Sequence, residues 1–200
     1  GVIETAKALA AAQEINDFYT GGHCKRVARG AEALAVRLGV EGEELSDLEV
    51  AAALHDIGKI GVPAEILSKP GKLTRADQLA MQEHAALGAR LLATVSFFDQ
   101  VSVYVRYHHE DWDGNGYPEG LEGEATPLPS RIIRIVDAYD AMRSSRPYRD
   151  ALPIEEALRR VRVERGRQFD PRVLEAFLEL AEEGVLEAIR CEVDEGEEVA

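Results

Sequence analysis

The residues in this sequence that are best suited to chemistry are its histidines and the carboxylates near them. Asp56 follows a histidine at the end of an apolar run, and Asp137 directly follows the apolar-rich run 132–136. Burying a carboxylate without a partner costs several kcal/mol, so each position predicts a cation or an ion pair beside it. The five histidines of the chain are His23, His55, His84, His108 and His109.

Imidazole and carboxylate ligands without thiolates suit divalent iron, manganese, zinc or nickel. The number of potential ligands exceeds what one tetrahedral zinc ion needs, which favours two metal ions that share a bridging carboxylate. From spacing alone, a second interpretation stays equally open, in which the histidines are ordinary core or surface residues of a helical protein.

Helices must position these residues, because apolar side chains recur at helical spacing along most of the chain. Gly39 ends one amphipathic stretch, Ser46 and Glu49 have a capping-box pattern, and Asp170 before a proline is typical of a helix start. The pattern predicts helices over 4–17, about 23–38, from Ser46, from Thr74, around Val101 to His108, and over 154–165 and 171–183.

Residues 110–129 contain four glycines and three prolines, which predicts a long loop. The apolar cluster 132–136 could form a strand on composition, but its continuation through Ala141 and Met142 favours a helix. We recognise no series of strands and no internal repeat. The expected fold class is all-α, a single domain of about seven to nine helices with one long Gly/Pro-containing loop.

Composition excludes several functional classes. The formal net charge of -14 disfavours binding to a nucleic acid polymer, although bound cations would still allow a small phosphate ester to bind. No apolar run approaches the roughly 20 residues that span a bilayer, and no signal peptide is visible. The two cysteines, Cys24 and Cys191, are too few for a disulfide framework and favour a reducing cytoplasm.

Three longer motifs resemble a known family. The segment HDIGKIGVP at 55–63 resembles the signature of HD-domain phosphohydrolases, and HHEDWDGNGYP at 108–118 resembles the second signature of the HD-GYP subfamily. DAYDAM at 137–142, followed by RPYR at 146–149, resembles the third signature. The chain is thus identified as a member of the HD-GYP family. That resemblance implies an HD-type helical bundle and a metal-dependent phosphodiesterase that hydrolyses cyclic di-GMP to pGpG, with a further cut to GMP left open.

The resemblance also implies a binuclear metal site in which the catalytic Asp56 bridges two divalent ions. Iron or manganese is expected first, and zinc, nickel or magnesium are alternatives. Relatives with a third metal carry a glutamate where this chain has Tyr19, so we expect two ions, and His23 could instead hydrogen-bond a substrate phosphate. The implied ligands are His23, His55, Asp56, His84, His108, His109 and Asp137.

Substrate contacts are implied in the same way. Lys59 is expected to contact the substrate phosphate and to polarise the attacked group. Asp140 should face the same pocket, either toward phosphate or as a supporting group. Arg146 and Arg149 are expected to clamp the second phosphate or a guanine, unless they pair with surface acids. Tyr117 is expected to stack on guanine, although packing of its own loop is an equal alternative.

The family pattern suggests an organisation in three parts. Residues 1–18 would form an N-terminal coupling helix, 19–184 the HD-GYP catalytic domain, and 185–200 a solvated acidic tail. The Gly116-Tyr117-Pro118 loop would be either a tight turn or a docking surface for GGDEF-domain proteins. Whether the chain forms a homodimer is left open.

Two other functions stay open. An HD phosphohydrolase acting on dNTPs, guanosine tetraphosphate or a cyclic mononucleotide would leave His84 and the pair His108-His109 without a role. A non-catalytic adaptor that binds a dinucleotide or a cyclase would be expected to lack one of the motif histidines, and none is missing. No motif decides between cyclic di-GMP and cyclic GMP-AMP.

Overall fold

The computed structural model describes residues 1–16, 22–145 and 149–198. Over these residues the chain forms ten α-helices and no β-strand, which confirms the predicted all-α class. None of the described helices is both long and apolar enough to cross a membrane. The helices are α1 (Val2–Asn16), α2 (His23–Arg37), α3 (Gly42–Leu54), α4 (Ala64–Leu67), α5 (Arg75–Leu92), α6 (Asp99–Arg106), α7 (Leu128–Arg143), α8 (Ile154–Val163), α9 (Pro171–Glu182) and α10 (Val185–Glu198). Short 3₁₀ turns occur at Ile57–Gly61, Ser96–Phe98 and Gly123–Ala125.

The core lies where α2, α3 and α7 meet. Helix α2 packs against α3 and α7, α1 packs against α3, and α5 packs against α6 and the 3₁₀ turn Ile57–Gly61. The apolar cluster 132–136 belongs to α7, so the helical interpretation of this segment is correct. Its isoleucines are fully buried with side chains from α2, α3 and α9: Leu34, Leu48, Leu54, Ile132, Ile133, Ile135, Leu174 and Phe177.

Two of the predicted helix starts carry the expected caps. The Thr74 hydroxyl accepts a hydrogen bond from the backbone of Asp77, whose carboxylate accepts one from the Thr74 backbone. Asp170 accepts hydrogen bonds from the backbone of Arg172 and Val173 at the start of α9. Each cap satisfies backbone N–H groups that lack a partner inside the helix. These caps fix the starts of α5, which carries His84, and of α9.

Other expected boundaries were wrong. Helix α3 begins at Gly42, and the Ser46 hydroxyl donates to the Gly42 carbonyl inside the helix instead of capping it. The reason is that acids at the first turn, Glu43 and Glu44, already favour an earlier start. Helix α6 ends at Arg106, so His108 lies beyond it. There are ten helices rather than seven to nine among the described residues, because α4 and α10 were not anticipated.

The segment expected to be a solvated acidic tail is also different. Residues 185–198 form α10, which packs against α2 and α9. Leu186, Ile189 and Val193 are buried on one face of this helix, and its acids lie mainly on the others. The segment is therefore part of the packed bundle, because its apolar residues follow helical spacing despite the high acidic content.

Candidate metal centre

The bundle brings all seven predicted ligands together. His23 is the first residue of α2, and His84 lies within α5. His55 and Asp56 lie between α3 and the following 3₁₀ turn, the two adjacent histidines follow α6, and Asp137 lies in α7. Two groups have ligand atoms within 4.8 Å of one another: His23 with His55 and Asp56, and His84 with His108 and His109.

Asp56 lies between these two groups and presents one oxygen to each. Its Oδ2 is 3.5 Å from His55 Nε2, and its Oδ1 is 3.5 Å from His84 Nε2. Asp137 adds a second carboxylate, with Oδ1 3.3 Å from His23 Nε2 and 3.7 Å from His55 Nε2. The position of Asp56 between the two groups fits the role of a carboxylate that bridges two cations.

Three of the histidines are oriented by the backbone in the same way. The Nδ1 atoms of His55, His84 and His108 lie 2.8, 2.6 and 2.6 Å from the carbonyl oxygens three residues earlier. A carbonyl only accepts, so each Nδ1 carries a proton, and Nε2 is the nitrogen whose lone pair can bind a cation when the ring is neutral. Such a contact is the usual way in which a metal-binding histidine is held in the correct tautomer.

The lone pairs that result need a cation. His55 Nε2 is buried and has no hydrogen-bond partner in the part of the chain that the structure describes. His84 Nε2 and His108 Nε2 face each other at 3.4 Å. Burial, followed by the neighbouring His55 and His84, lowers the pKa of His108 to about 3, so its ring stays neutral near pH 7. The donor set therefore fits divalent metal ions.

The two carboxylates of the centre are anionic. Burial raises the pKa of Asp56, but Lys59, His55 and His84 outweigh it and hold the pKa well below the ordinary range. Burial alone would raise the pKa of Asp137. Contacts with His23 and His55 outweigh burial and hold the pKa of Asp137 well below the ordinary range. Both groups are therefore ready to bind cations without first losing a proton.

Gly58 explains why the 3₁₀ turn can lie so close to α5. A Cβ at this position would come 1.9 Å from the His84 carbonyl oxygen and 2.4 Å from the Gly88 nitrogen. Both contacts are with backbone atoms, which cannot move aside as a side-chain end would. This close approach places Asp56 beside His84 and turns Lys59 inward, where its Nζ is 2.7 Å from Asp56 Oδ2. Lys59 is buried, as expected for a residue of the site.

The loop after α6 packs against the adjacent histidines His108 and His109. The Tyr117 ring stacks on His109, with centroids 4.8 Å apart and an angle of 19° between the planes. Gly116 is required here, since a Cβ would come 2.2 Å from the Asp111 nitrogen and 2.4 Å from the His109 carbonyl oxygen. Of the two interpretations of Tyr117, packing of its own loop is the one that these contacts favour.

The remaining predicted substrate residues are not all at the centre. Asp140 is buried, and its Oδ2 lies 2.8 Å from His23 Nδ1, so it holds the ring of a predicted ligand. Arg149 donates to the Ala141 carbonyl and lines a cleft formed by α7, α8 and the segment after α8, where none of the described lining residues is a metal ligand. Arg146 and Tyr19 lie outside the described residues.

Sequence reasoning missed two residues that organise the site. The buried carboxylate of Glu110 accepts hydrogen bonds from the backbone of Glu119 at 2.8 Å and of Leu121 at 2.9 Å. Arg134 donates to Asp111 from two nitrogens, and its Nη1 lies 3.4 Å from His109 Nδ1. The signal for Arg134 was its place inside the apolar run of α7, one turn before Asp137. For Glu110, the signal was its position directly after the histidine pair.

Two curated proteins of named activity are similar to this chain in sequence. A cyclic di-GMP phosphodiesterase response regulator, RpfG, from Xanthomonas campestris is 43% identical over 177 residues, which are 88% of this chain and 47% of that protein. A cyclic di-GMP phosphodiesterase from Thermotoga maritima is 38% identical over 97% of this chain and 53% of its own length. The chain thus spans about half the length of these relatives.

The fold has a counterpart among solved structures. The crystal structure of a cyclic GMP-AMP-specific phosphodiesterase from V. cholerae, V-cGAP3, matches with a TM-score of 0.72 at 22% identity, over 92% of this chain and 50% of that one. At this identity the match concerns the fold alone. The sequence profile described as HD domain matches residues 8–173, a span that contains every predicted metal ligand. The chain therefore belongs to the HD domain family.

Proposed function

We propose that this chain is a metal-dependent phosphodiesterase that hydrolyses cyclic di-GMP to pGpG at a binuclear His/Asp centre. The observation that carries the proposal is the position of Asp56, with one carboxylate oxygen toward His55 and the other toward His84. Relatives named as cyclic di-GMP phosphodiesterases, at 38% to 43% identity, support the choice of substrate.

One ion would be held by His23, His55 and Asp137, the other by His84, His108 and His109, with Asp56 shared between them. The donors are imidazole nitrogens and carboxylate oxygens without thiolates, which suit iron, manganese, zinc and nickel alike. Iron or manganese is proposed first from the family resemblance, and zinc, nickel or magnesium are alternatives. Such ions would neutralise charge on a phosphodiester and lower the pKa of a water molecule near the site.

The chain's own residues would perform the remaining tasks. Lys59 holds an ammonium group against Asp56, where it can also contact a phosphodiester oxygen and stabilise the charge that develops there. Tyr117 covers His109 and limits the access of bulk water. In the reaction, the oxygen of a water molecule bonds to phosphorus and the bond from phosphorus to the ribose 3′ oxygen breaks. One proton of the water is lost, and the leaving 3′ oxygen takes up one proton to become a hydroxyl. The product is linear pGpG, and a second hydrolysis to GMP is a separate question.

The cyclic dinucleotide 3'3'-cGAMP is a second candidate substrate, because one similar protein is named for it. A 3'3'-cGAMP-specific phosphodiesterase 3 from Vibrio cholerae is 44% identical over 140 residues, which are 70% of this chain and 30% of that protein. Both cyclic dinucleotides present the same phosphodiester to the metal centre. Selectivity between them would therefore come from contacts with the bases, outside the ligand set.

The proposed partners and location extend from the same reasoning. Pro118 and Glu119 are exposed while Tyr117 faces His109, so any GGDEF-domain protein docking on this loop would contact its outer edge. Cys24 and Cys191 are free thiols, which supports a reducing cytoplasm as the location. Whether the chain forms a homodimer is to be measured in solution.

The test is anaerobic turnover of cyclic di-GMP and, separately, of 3'3'-cGAMP by protein loaded with ferrous or manganous ion, with products separated by chromatography. Asp56→Ala is the inactive variant, and Asp47→Ala, in the preceding helix α3, is the matched control. From cyclic di-GMP we expect pGpG with the wild type and with Asp47→Ala, and none with Asp56→Ala. Hydrolysis of 3'3'-cGAMP would give a linear dinucleotide with one adenosine and one guanosine. Binding of the dinucleotide without any product would overturn the phosphodiesterase and leave an adaptor.

A further inference from the structure

His23 differs from the other oriented histidines of the centre. His55, His84 and His108 direct Nδ1 to a backbone carbonyl three residues earlier, whereas His23 begins α2 and directs Nδ1 to the Asp140 carboxylate at 2.8 Å. Its ring orientation therefore depends on a side chain of α7. A side chain can rotate away, so something must hold that carboxylate in place.

Two guanidinium groups hold the Asp140 carboxylate. Arg26 of α2 donates from Nε to Oδ1 at 2.8 Å, and Arg190 of α10 donates from Nη2 to the same oxygen at 2.8 Å. Ser144 donates to Oδ2 at 3.3 Å. Asp140 and Arg26 are each only 5% exposed, so these charge-assisted contacts are largely shielded from water.

Helix α10 also holds the other guanidinium group. Arg26 Nη1 donates to Asp194 of α10 at 2.8 Å, although this carboxylate is half exposed. Arg190 and Asp194 are four residues apart and lie on one helix face, next to the buried side chains of Ile189 and Val193. One face of α10 therefore supplies Arg190, which contacts Asp140 directly, and Asp194, which contacts Arg26. This helix lies beyond residues 8–173, the span that matches the HD domain profile.

We propose that Arg190 is a positioning residue for the metal centre, which acts through Asp140 to orient His23. The contacts run from α10 to α7 and then to the first residue of α2. With the Asp140 carboxylate fixed, the His23 ring presents Nε2 toward Asp137, at 3.3 Å from its Oδ1. The inference rests on the proposed function at one point: His23 would be one of the residues that hold a metal ion.

The test compares variants of the 200-residue chain in two measurements that do not depend on turnover. Arg190→Met removes the guanidinium, and Arg190→Lys restores a cation. Glu187→Gln is the matched control, because Glu187 also ties α10 to α7, through Arg143, but none of its described hydrogen bonds involves Asp140. The measurements are Mn²⁺ affinity by calorimetry and the nitrogen-detected NMR signals of the His23 ring in metal-free protein.

We expect Arg190→Met to weaken Mn²⁺ binding about tenfold, the low end for loss of a group that supports a metal ligand, and to shift the His23 ring signals. Arg190→Lys should recover much of both, and Glu187→Gln should match the wild type. Wild-type affinity and wild-type His23 signals in folded Arg190→Met would overturn the proposal. So would a loss of affinity with unchanged His23 signals, because Arg190 would then act by another route.

If Arg190→Met does not fold, the milder Arg190→Gln decides the question. Glutamine keeps a polar end but carries no positive charge, so it should move the His23 signals away from their wild-type positions. If folded Arg190→Gln leaves these signals unchanged, the proposal is wrong. Failure of the wild type to hydrolyse cyclic di-GMP would count against the proposed function alone, because the His23 signals are measured without metal or substrate.

Discussion

His55 Nδ1 lies 2.8 Å from the carbonyl oxygen of Ala52, and this contact leaves the buried Nε2 of the same ring with its lone pair directed into the cluster. A backbone carbonyl of α3 therefore determines which nitrogen can bind a cation. His84 and His108 repeat the contact with Met81 and Val105. Helix backbones thus orient three of the predicted ligands without a metal ion, which would reduce the reorganisation that metal binding requires.

Metal binding should stabilise the fold measurably. A ligand that binds only the folded state adds about 2.7 kcal/mol to the free energy of unfolding at one hundred times its dissociation constant. We therefore expect Mn²⁺ to raise the melting temperature of the EDTA-treated protein, followed by circular dichroism. Asp56→Asn should lose most of the rise, because Asp56 faces both ligand groups. An equal rise in this variant would point to binding elsewhere on the acidic surface.

Replacing Lys59 should affect the chemical step more than the metal content. Its Nζ lies 2.7 Å from Asp56 Oδ2 and would stabilise charge on the phosphate in the transition state. We expect Lys59→Met to lower kcat about a hundredfold, the usual effect of losing one such group, with a smaller change in KM. Metal analysis of the purified variant is the control. A higher KM at unchanged kcat would assign Lys59 to substrate binding alone.

Gly58→Ala should disrupt the centre through the backbone. The added methyl group would overlap the His84 carbonyl oxygen and the Gly88 nitrogen, so the 3₁₀ turn must move away from α5. We expect a loss of about 3 kcal/mol or more in urea unfolding, together with weaker Mn²⁺ binding. Gly196→Ala is the matched control, because a Cβ there meets no atom within 4 Å. Equal stability of the two variants would show that the turn can shift freely.

The loop that carries Tyr117 should depend on Glu110. The two oxygens of this buried carboxylate accept from the Glu119 and Leu121 backbones, and an amide can accept only one of these bonds. We expect Glu110→Gln to cost about 1–3 kcal/mol and to speed hydrogen exchange at both amides. The exposed Glu124→Gln serves as control. Unchanged exchange at positions 119 and 121 would mean that other contacts hold the loop.

The start of α5 should be sensitive to acid. Contacts with Lys69 and with the backbone and hydroxyl of Thr74 lower the pKa of Asp77 from 3.8 to about 2. Because the folded pKa is below the unfolded one, the stabilisation is fully present above about pH 4 and is lost as pH falls toward 2. Asp77→Asn should therefore be less stable than wild type at pH 5, with the gap closing by pH 2 in urea titrations.

Thr74→Ala separates the cap from the charge. This variant removes the hydroxyl that caps α5, and we expect it to cost about 1 kcal/mol. Much of that loss should persist at low pH, because the hydroxyl does not titrate. A gap for Asp77→Asn that stays constant from pH 5 to pH 2 would mean that its carboxylate contributes nothing through its charge.

The sequence by itself determined the all-α class and predicted the ligand set. Helical spacing and caps such as Asp170 act over a few residues, so they can be read locally. His55-Asp56, His108-His109 and Asp137 lie in motifs whose residue types already indicate metal binding, and the structure brings their side chains together. Chemistry that is encoded in short segments was therefore predictable.

Only the tertiary structure decided which groups support that set. Asp140 contacts His23 across 117 residues, and Arg190 contacts Asp140 across 50. The acids of 185–200 concealed the apolar face of α10, and the sequence left Tyr117 equally suited to stack on guanine or to pack its own loop. These relationships depend on how helices pack, and packing joins residues that no local periodicity relates.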